Sequence, residues 1–321
     1  MTKITKIWLI IAVSLILIGC VIFFGVMTML KWDLTKLSTV KYETNEYEIS
    51  EAYKNISIVT DTADVVFVPS ENESSLVVCR EQKNIEHTVL VKDNTLTIEI
   101  NDTRKWYEFI GINMGSSKIT VYVPMGEYGA LLVESETGDV EIPKDFKFES
   151  IDISENTGRV ENYASVSDSI KIKTSTGDIC VENISAGSLE LSVSTGGIKI
   201  SGVSCEGEAN INVSTGKAKL TDVQCKNLIS SGNTGSVNLK NVVAADKISV
   251  TRSTGDIEFE ACDAAELNIK TSTGYVKGTL LSDKIFSTQT DTGRVRVPKT
   301  TSGGICNIKT STGDIDISIQ Q

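Results

Sequence analysis

From residue 129 to the end of the chain, apolar and polar residues alternate in short runs, and each pair of runs flanks the dipeptide Thr-Gly. Alternation of period two marks strands with one face turned inward. The dipeptide recurs as Thr137-Gly138, Thr157-Gly158, Thr176-Gly177, Thr195-Gly196, Thr215-Gly216, Thr234-Gly235, Thr254-Gly255, Thr273-Gly274, Thr292-Gly293 and Thr312-Gly313. Successive glycines are 19 or 20 residues apart. Two residues after each glycine stands an aliphatic side chain, from Val140 and Val160 through to Val295 and Ile315. Four after, the position is again mostly apolar, with Asn162 and Gly278 as exceptions. Seven before stand residues such as Leu131, Ile151 and Phe286, and five before mainly Val133, Ile153 and their equivalents. Ile184, Val203, Val223, Val242, Cys262 and Leu281, seven after the glycine, predict a further short side.

Self-similarity at a fixed period is the mark of a solenoid. A meander of hairpins would also alternate, but it would put every second turn at the opposite edge, whereas identical chemistry in each period requires identical environments one coil apart. The expectation is an all-β, single-stranded parallel β-helix (β-solenoid) of about 19 to 20 residues per coil. Each strand pairs in parallel with its equivalent in the next coil, and nine intervals give a rod of about 43 Å. Here Thr-Gly is a structural corner. Glycine adopts positive φ at little cost, and the threonine hydroxyl bonds neighbouring backbone. The residue after glycine is Asp in only four copies, Asp139, Asp178, Asp256 and Asp314, none consecutive. A calcium ladder needs carboxylates in adjacent coils, so neither a metal nor any other cofactor is expected.

Upstream, residues 7–30 run without a charge, about 36 Å of helix, enough to cross a bilayer. Lys3 and Lys6 precede the run with no acidic residue among them, which puts the N-terminus in the cytoplasm and the rest of the chain outside it. "LIGC", ending at Cys20, has the form of a lipidation box, but the apolar "VIFFGVMTML" follows where a polar start is needed. A cleaved signal peptide would have a shorter apolar run and a small-residue cleavage site. Residues 1–30 are therefore a cytoplasmic stub and transmembrane helix, 31–46 a linker, 47–128 an N-terminal β cap and 129–321 the solenoid of ten repeats. Within the cap, "NISIVTDTADVVF" is a degenerate further copy of the repeat, and "RKWYEFIGINMG" forms a loop whose Trp106, Tyr107 and Phe109 pack over the rod's open end or contact a partner.

A net charge of −11 excludes nucleic acid as a partner. Of seven cysteines no two form a C-x-x-C pair, and a Cys205–Cys225 bridge between neighbouring coils remains open beside two free buried thiols. The one histidine, His87, falls in a strand of the cap, where a structural role is the reading. Coils this short leave no room for catalytic loops, so no enzyme is expected.

"NISIVTDTADVVF", "SSKITVYVPMGEYGALLVESETGDVEI" and the "STGDI" blocks together resemble the bacterial "putative adhesin" or toastrack family. The resemblance implies a β-solenoid behind a membrane span, a place in the cell-envelope stress response, and no catalytic residues. The expected partners are the membrane, through residues 7–30, and a cell-wall polymer or an envelope-stress membrane protein. End-to-end self-association is the alternative, since the last coil, "STGDIDISIQQ", carries no capping helix.

Overall fold

The structure, a computed structural model, describes residues 2–33, 36, 38, 40–72, 74–104 and 115–320. One helix, α1 (Lys3–Met29), carries the N-terminal apolar run and is long and apolar enough to cross a membrane. Everything else regular is β, wound into a solenoid of parallel coils. The chain enters it through β1 (Tyr42–Ile49), β2 (Asn55–Thr60), β3 (Ala63–Ser70), β4 (Ser75–Gln82), β5 (Ile85–Lys92), β6 (Thr95–Asp102), β7 (Ser117–Pro124), β8 (Gly126–Thr137) and β9 (Val140–Ile142).

Strands pair in parallel at the repeat's own register. Leu131 lies beside Ile151, Ile151 beside Ile170, and Val140 beside Val160. The alternating apolar positions face inward, and Leu131, Val133, Val140 and Ile142 are each at most 1% exposed. A second bend lies six residues after the glycine, where Asn183, Gly202, Asp222, Asn241 and Ala261 take φ between +51° and +63°. It turns the chain onto the third side, where Val203, Val223, Val242 and Cys262 are buried.

In the Gly274 coil that side departs from the sequence pattern. The register slips so that Cys262 pairs with Leu280, which is buried, and Leu281 is left 46% exposed. Both exceptions four after the glycine are accounted for. Asn162 satisfies its own amide on the backbone of Ala164. At Gly278 any side chain would overlap the ring and carbonyl of Phe259.

The coils do not stack in chain order at either end, contrary to the simple reading of the repeat. β2 and β3 are the degenerate copy, with Ile56 beside Leu131, Ile58 beside Val133 and Val65 beside Val140. The chain then leaves this coil, forms β4 and β5, and returns as β6 and β7 on its other side. Among the described residues the antiparallel pairings are β1 with β4, β4 with β7 and β5 with β6. Phe67, Tyr128, Phe146 and Phe148 fill this end, with ring centroids 5.7 to 6.4 Å apart.

At the other end Glu266–Thr273 pairs with Gly304–Thr312, and that strand pairs in turn with Lys284–Thr292. The last coil in sequence is thus inserted between the two before it, and the Gly293 coil forms the end of the rod. Hydrophobicity explains the order. The inserted coil turns Cys306, Ile308, Ile315 and Ile317 inward, at most 4% exposed, whereas the outer coil has Thr288 in the place of Ile308 and leaves Val295 42% exposed. Where the chain steps over a level, Lys284 Nζ meets Asp263 Oδ1 at 2.5 Å, and the Thr300 hydroxyl donates to the Lys284 carbonyl. Among the described residues the long side is thirteen strands deep, about 58 Å at ordinary strand spacing.

Candidate functional site

At the corners, glycine is demanded by stacking as much as by torsion. A methyl at any of the ten would overlap a backbone carbonyl of the adjoining coil, that of the stacked corner glycine in nine cases and of Ala63 at Gly138. Nine of the glycines have φ between +128° and +154°. The corner N–H groups continue the ladder, as from Gly158 to Thr176 O at 3.0 Å. All ten corner threonine side chains are exposed. The hydroxyls that reach neighbouring backbone sit two places earlier, where Thr271, Thr290 and Thr310 donate to the carbonyls of Gly255, Gly313 and Gly274 at 3.0 to 3.1 Å.

Aspartate after the glycine also has a role. Asp64, Asp139, Asp178, Asp256 and Asp314 each accept the N–H of the equivalent residue in the adjoining coil, at 2.7 to 3.1 Å. These oxygens are occupied by amides rather than turned toward an ion.

Three residues before each glycine runs a further inward column absent from the sequence pattern, because its chemistry is mixed. It contains Ser135, Glu155, Thr174, Val193, Val213, Gly232 and Arg252. Glu155 is 3% exposed and neither carboxyl oxygen has a hydrogen bond of ordinary geometry; nor does the Ser135 hydroxyl. Burial pushes the Glu155 carboxyl up to about 7, helped by Asp139 and Asp64 and partly opposed by the nearby Ser135 hydroxyl and Thr157 amide. Above it opens a cleft of about 430 Å³, rimmed by Asp61, Glu134, Glu136 and the one basic residue Lys173. The signal for Glu155 was a charged residue at a position whose parity points inward.

Further along the same column Arg252 is 2% exposed. Its guanidinium donates to Thr251 O at 3.0 Å and to Ser230 Oγ at 3.2 Å, while Nε has no partner. Burial lowers it to about 10. Gly232 provides the space, since a Cβ there would lie 2.9 Å from Nη1. Ser230 and Gly232, two breaks in the apolar pattern of one coil, thus both serve the arginine of the next.

The polar column reaches into the cap, where Thr60 Oγ1 lies 2.9 Å from His87 Nε2. Cys205 and Cys225 are buried free thiols. Trp106, Tyr107 and Phe109 lie outside the described residues.

Residues 53–214 and 207–321 match the sequence profile of the family described as Toastrack DUF4097. The chain belongs to the toastrack family. A crystal structure of a "putative adhesin" from Parabacteroides merdae matches with a TM-score of 0.50 at 15% identity, over 74% of this chain and 96% of that one. A "putative lipid binding protein" from Parabacteroides distasonis matches with a TM-score of 0.47 at 19% identity, over 75% and 95%. No curated protein sequence matches this one. At such identities the likeness is one of fold, so any site of this toastrack chain must be argued from its own residues. Among the described residues Glu155 combines an unmet chemical need with an adjoining cleft.

Proposed function

We propose that this toastrack chain is a membrane-anchored, extracytoplasmic, non-catalytic binding module. α1 is the anchor, with the N-terminus in the cytoplasm and the rod outside. The observation that carries the reading is Glu155, a buried carboxyl with no hydrogen bond of ordinary geometry, opening to a cleft rimmed by Asp61, Glu134 and Glu136 against the single basic Lys173. A buried carboxylate needs a donor or a counter-charge, so the cleft takes a positively charged group, such as an ammonium, presented by a cell-wall polymer or a membrane protein of the envelope-stress response. The neighbour described as a "putative adhesin" agrees with a binding role. Coils of 19 or 20 residues leave no catalytic loops around the cleft, and the domain division into a linker at 31–46, a cap at 47–128 and a solenoid from 129 serves to hold the site away from the bilayer.

The test is retention of the purified full chain on cell-wall and membrane fractions. Wild type is retained and Glu155→Gln is not; equal retention of the two, or none beyond a control protein, overturns the reading.

A specific observation favours a second reading, end-to-end self-assembly. The outer coil leaves Ile285 48% and Val295 42% exposed beside unpaired strand edges. A single monomeric species in light scattering of the purified chain, across the working concentration range, would rule it out.

A further inference from the structure

At the N-terminal end of the rod, three donors of different chemistry meet in the core. Cys79 and Glu81 are two apart on β4 and so share its inward face, and His87 on β5 faces them. They are 1%, 1% and 3% exposed. The thiol sulfur, a carboxylate oxygen and an imidazole nitrogen all lie within 4.8 Å of one another. Their orientations are held by hydrogen bonds within the cluster and from outside it. His87 Nδ1 lies 2.5 Å from Glu81 Oε2, the His87 backbone N–H donates to the same oxygen at 2.8 Å, and Asn45 Nδ2 donates to Glu81 Oε1 at 2.7 Å. Thr60 Oγ1 lies against the other ring nitrogen, and Tyr47 Oη donates to the His87 carbonyl at 2.9 Å.

We infer that this cluster is a site for one divalent transition-metal ion of the zinc class, bound by Cys79 Sγ, a Glu81 oxygen and His87 Nδ1. Thiolate, imidazole and carboxylate together form a donor set that zinc takes. Thiolate and carboxylate neutralise a dication, so the loaded core carries no net charge, which is what a buried site requires. Bond lengths of about 2.0 to 2.3 Å in a tetrahedral site put ligand atoms roughly 3.3 to 3.8 Å apart. The cluster reaches that spacing by side-chain shifts of about an ångström, the Glu81–His87 contact opening as the ion replaces the Nδ1 proton. With Nδ1 on the metal the neutral imidazole carries its proton on Nε2, which faces Thr60 Oγ1, the outer hydrogen bond that metal-bound histidines use. Asn45 is half-buried on the edge strand β1, directly opposite Cys79. It is the way in, and its side-chain amide already reaches the cluster at Glu81 Oε1. Stability alone gives little reason for the cluster, since apolar replacement of a buried ionic pair is often neutral or stabilising. The site adjoins the cleft above Glu155 through Thr60, but none of its three ligands lines that cleft.

The test uses the full chain in detergent micelles, stripped of metal with a chelator and titrated with Co²⁺ and, separately, Zn²⁺. A thiolate-to-cobalt charge-transfer absorption should saturate at one equivalent, and Zn²⁺ should raise the melting temperature. Cys79→Ser should abolish the absorption, and Thr60→Val, which keeps all three ligands, should weaken affinity about tenfold. If Cys79→Ser fails to fold, Glu81→Gln gives the comparison, because it removes the ligand charge and keeps the shape. Absence of the absorption in the folded wild-type chain, or its persistence at equal affinity in the folded ligand variant, overturns the site.

Discussion

Gly177 has φ +143°, and a side chain there would overlap the carbonyl of Gly158 in the adjoining coil. Gly177→Val must therefore shift backbone in two coils at once, with an expected cost of about 3 kcal/mol in urea unfolding. Unchanged stability with lost binding would instead make the corner a ligand contact. Glu155 makes a different residue-scale prediction. Its raised folded-state pKa means that the native chain holds a proton that the unfolded chain releases at lower pH. The stability it contributes is fully present below the ordinary carboxylate range and is lost as pH rises through about 7. The wild-type melting temperature is expected to fall between about pH 5 and pH 8, and Glu155→Gln to flatten that slope. Parallel slopes in the two proteins would show that other groups set the pH response.

At the scale of the element, a coil is defined by what its neighbours leave it. Arg252 lies in space vacated by Gly232 and bonds Ser230, two coil positions that would otherwise be apolar. Because the Arg252 Nε has no partner, replacing the cation with an apolar chain of similar length removes an incompletely compensated charge. Arg252→Met is expected to raise stability by about 1 kcal/mol. Ser230→Ala is expected to lower it by about 1 to 2 kcal/mol, because it strips a partner from a buried guanidinium. Thermal unfolding of the two variants checks the pair, and a destabilised Arg252→Met would mean the guanidinium contributes more than its two bonds indicate. Exposed ladder pairs such as Lys240 with Glu260, at 2.9 Å, contribute far less because water screens them.

For the whole molecule, the order of stacking governs where the rod opens. A solenoid laid down in chain order would fray from its last coil. Here the last coil, around Gly313, is bonded on both sides, to the Gly274 coil and to the Gly293 coil. Hydrogen exchange followed by mass spectrometry should therefore find residues 304–319 protected like the interior and residues 284–296 exchanging sooner. Protection that instead falls steadily toward the C-terminus would contradict the inserted order. At the opposite end, β2 and β3 are held in the same way between β6 and β7 on one side and β8 and β9 on the other.

The sequence by itself determined the coil. The Thr-Gly period and the inward aliphatic columns are local, repeated once per coil, and sufficient to call a parallel solenoid, a degenerate copy at residues 56–67 and an apolar N-terminal helix. What tertiary structure decided was every feature that depends on a neighbour distant in the chain. The exchange of the last two coils follows from competition between Thr288 and Ile308 for an interior place, which an alignment in chain order cannot express. The isolation of Glu155 depends on which side chains fill the adjoining coils, and the meeting of Cys79, Glu81 and His87 with Thr60 depends on β6 and β7 returning past β2 and β3. Periodicity reports which way a side chain points; only packing reports what it meets there.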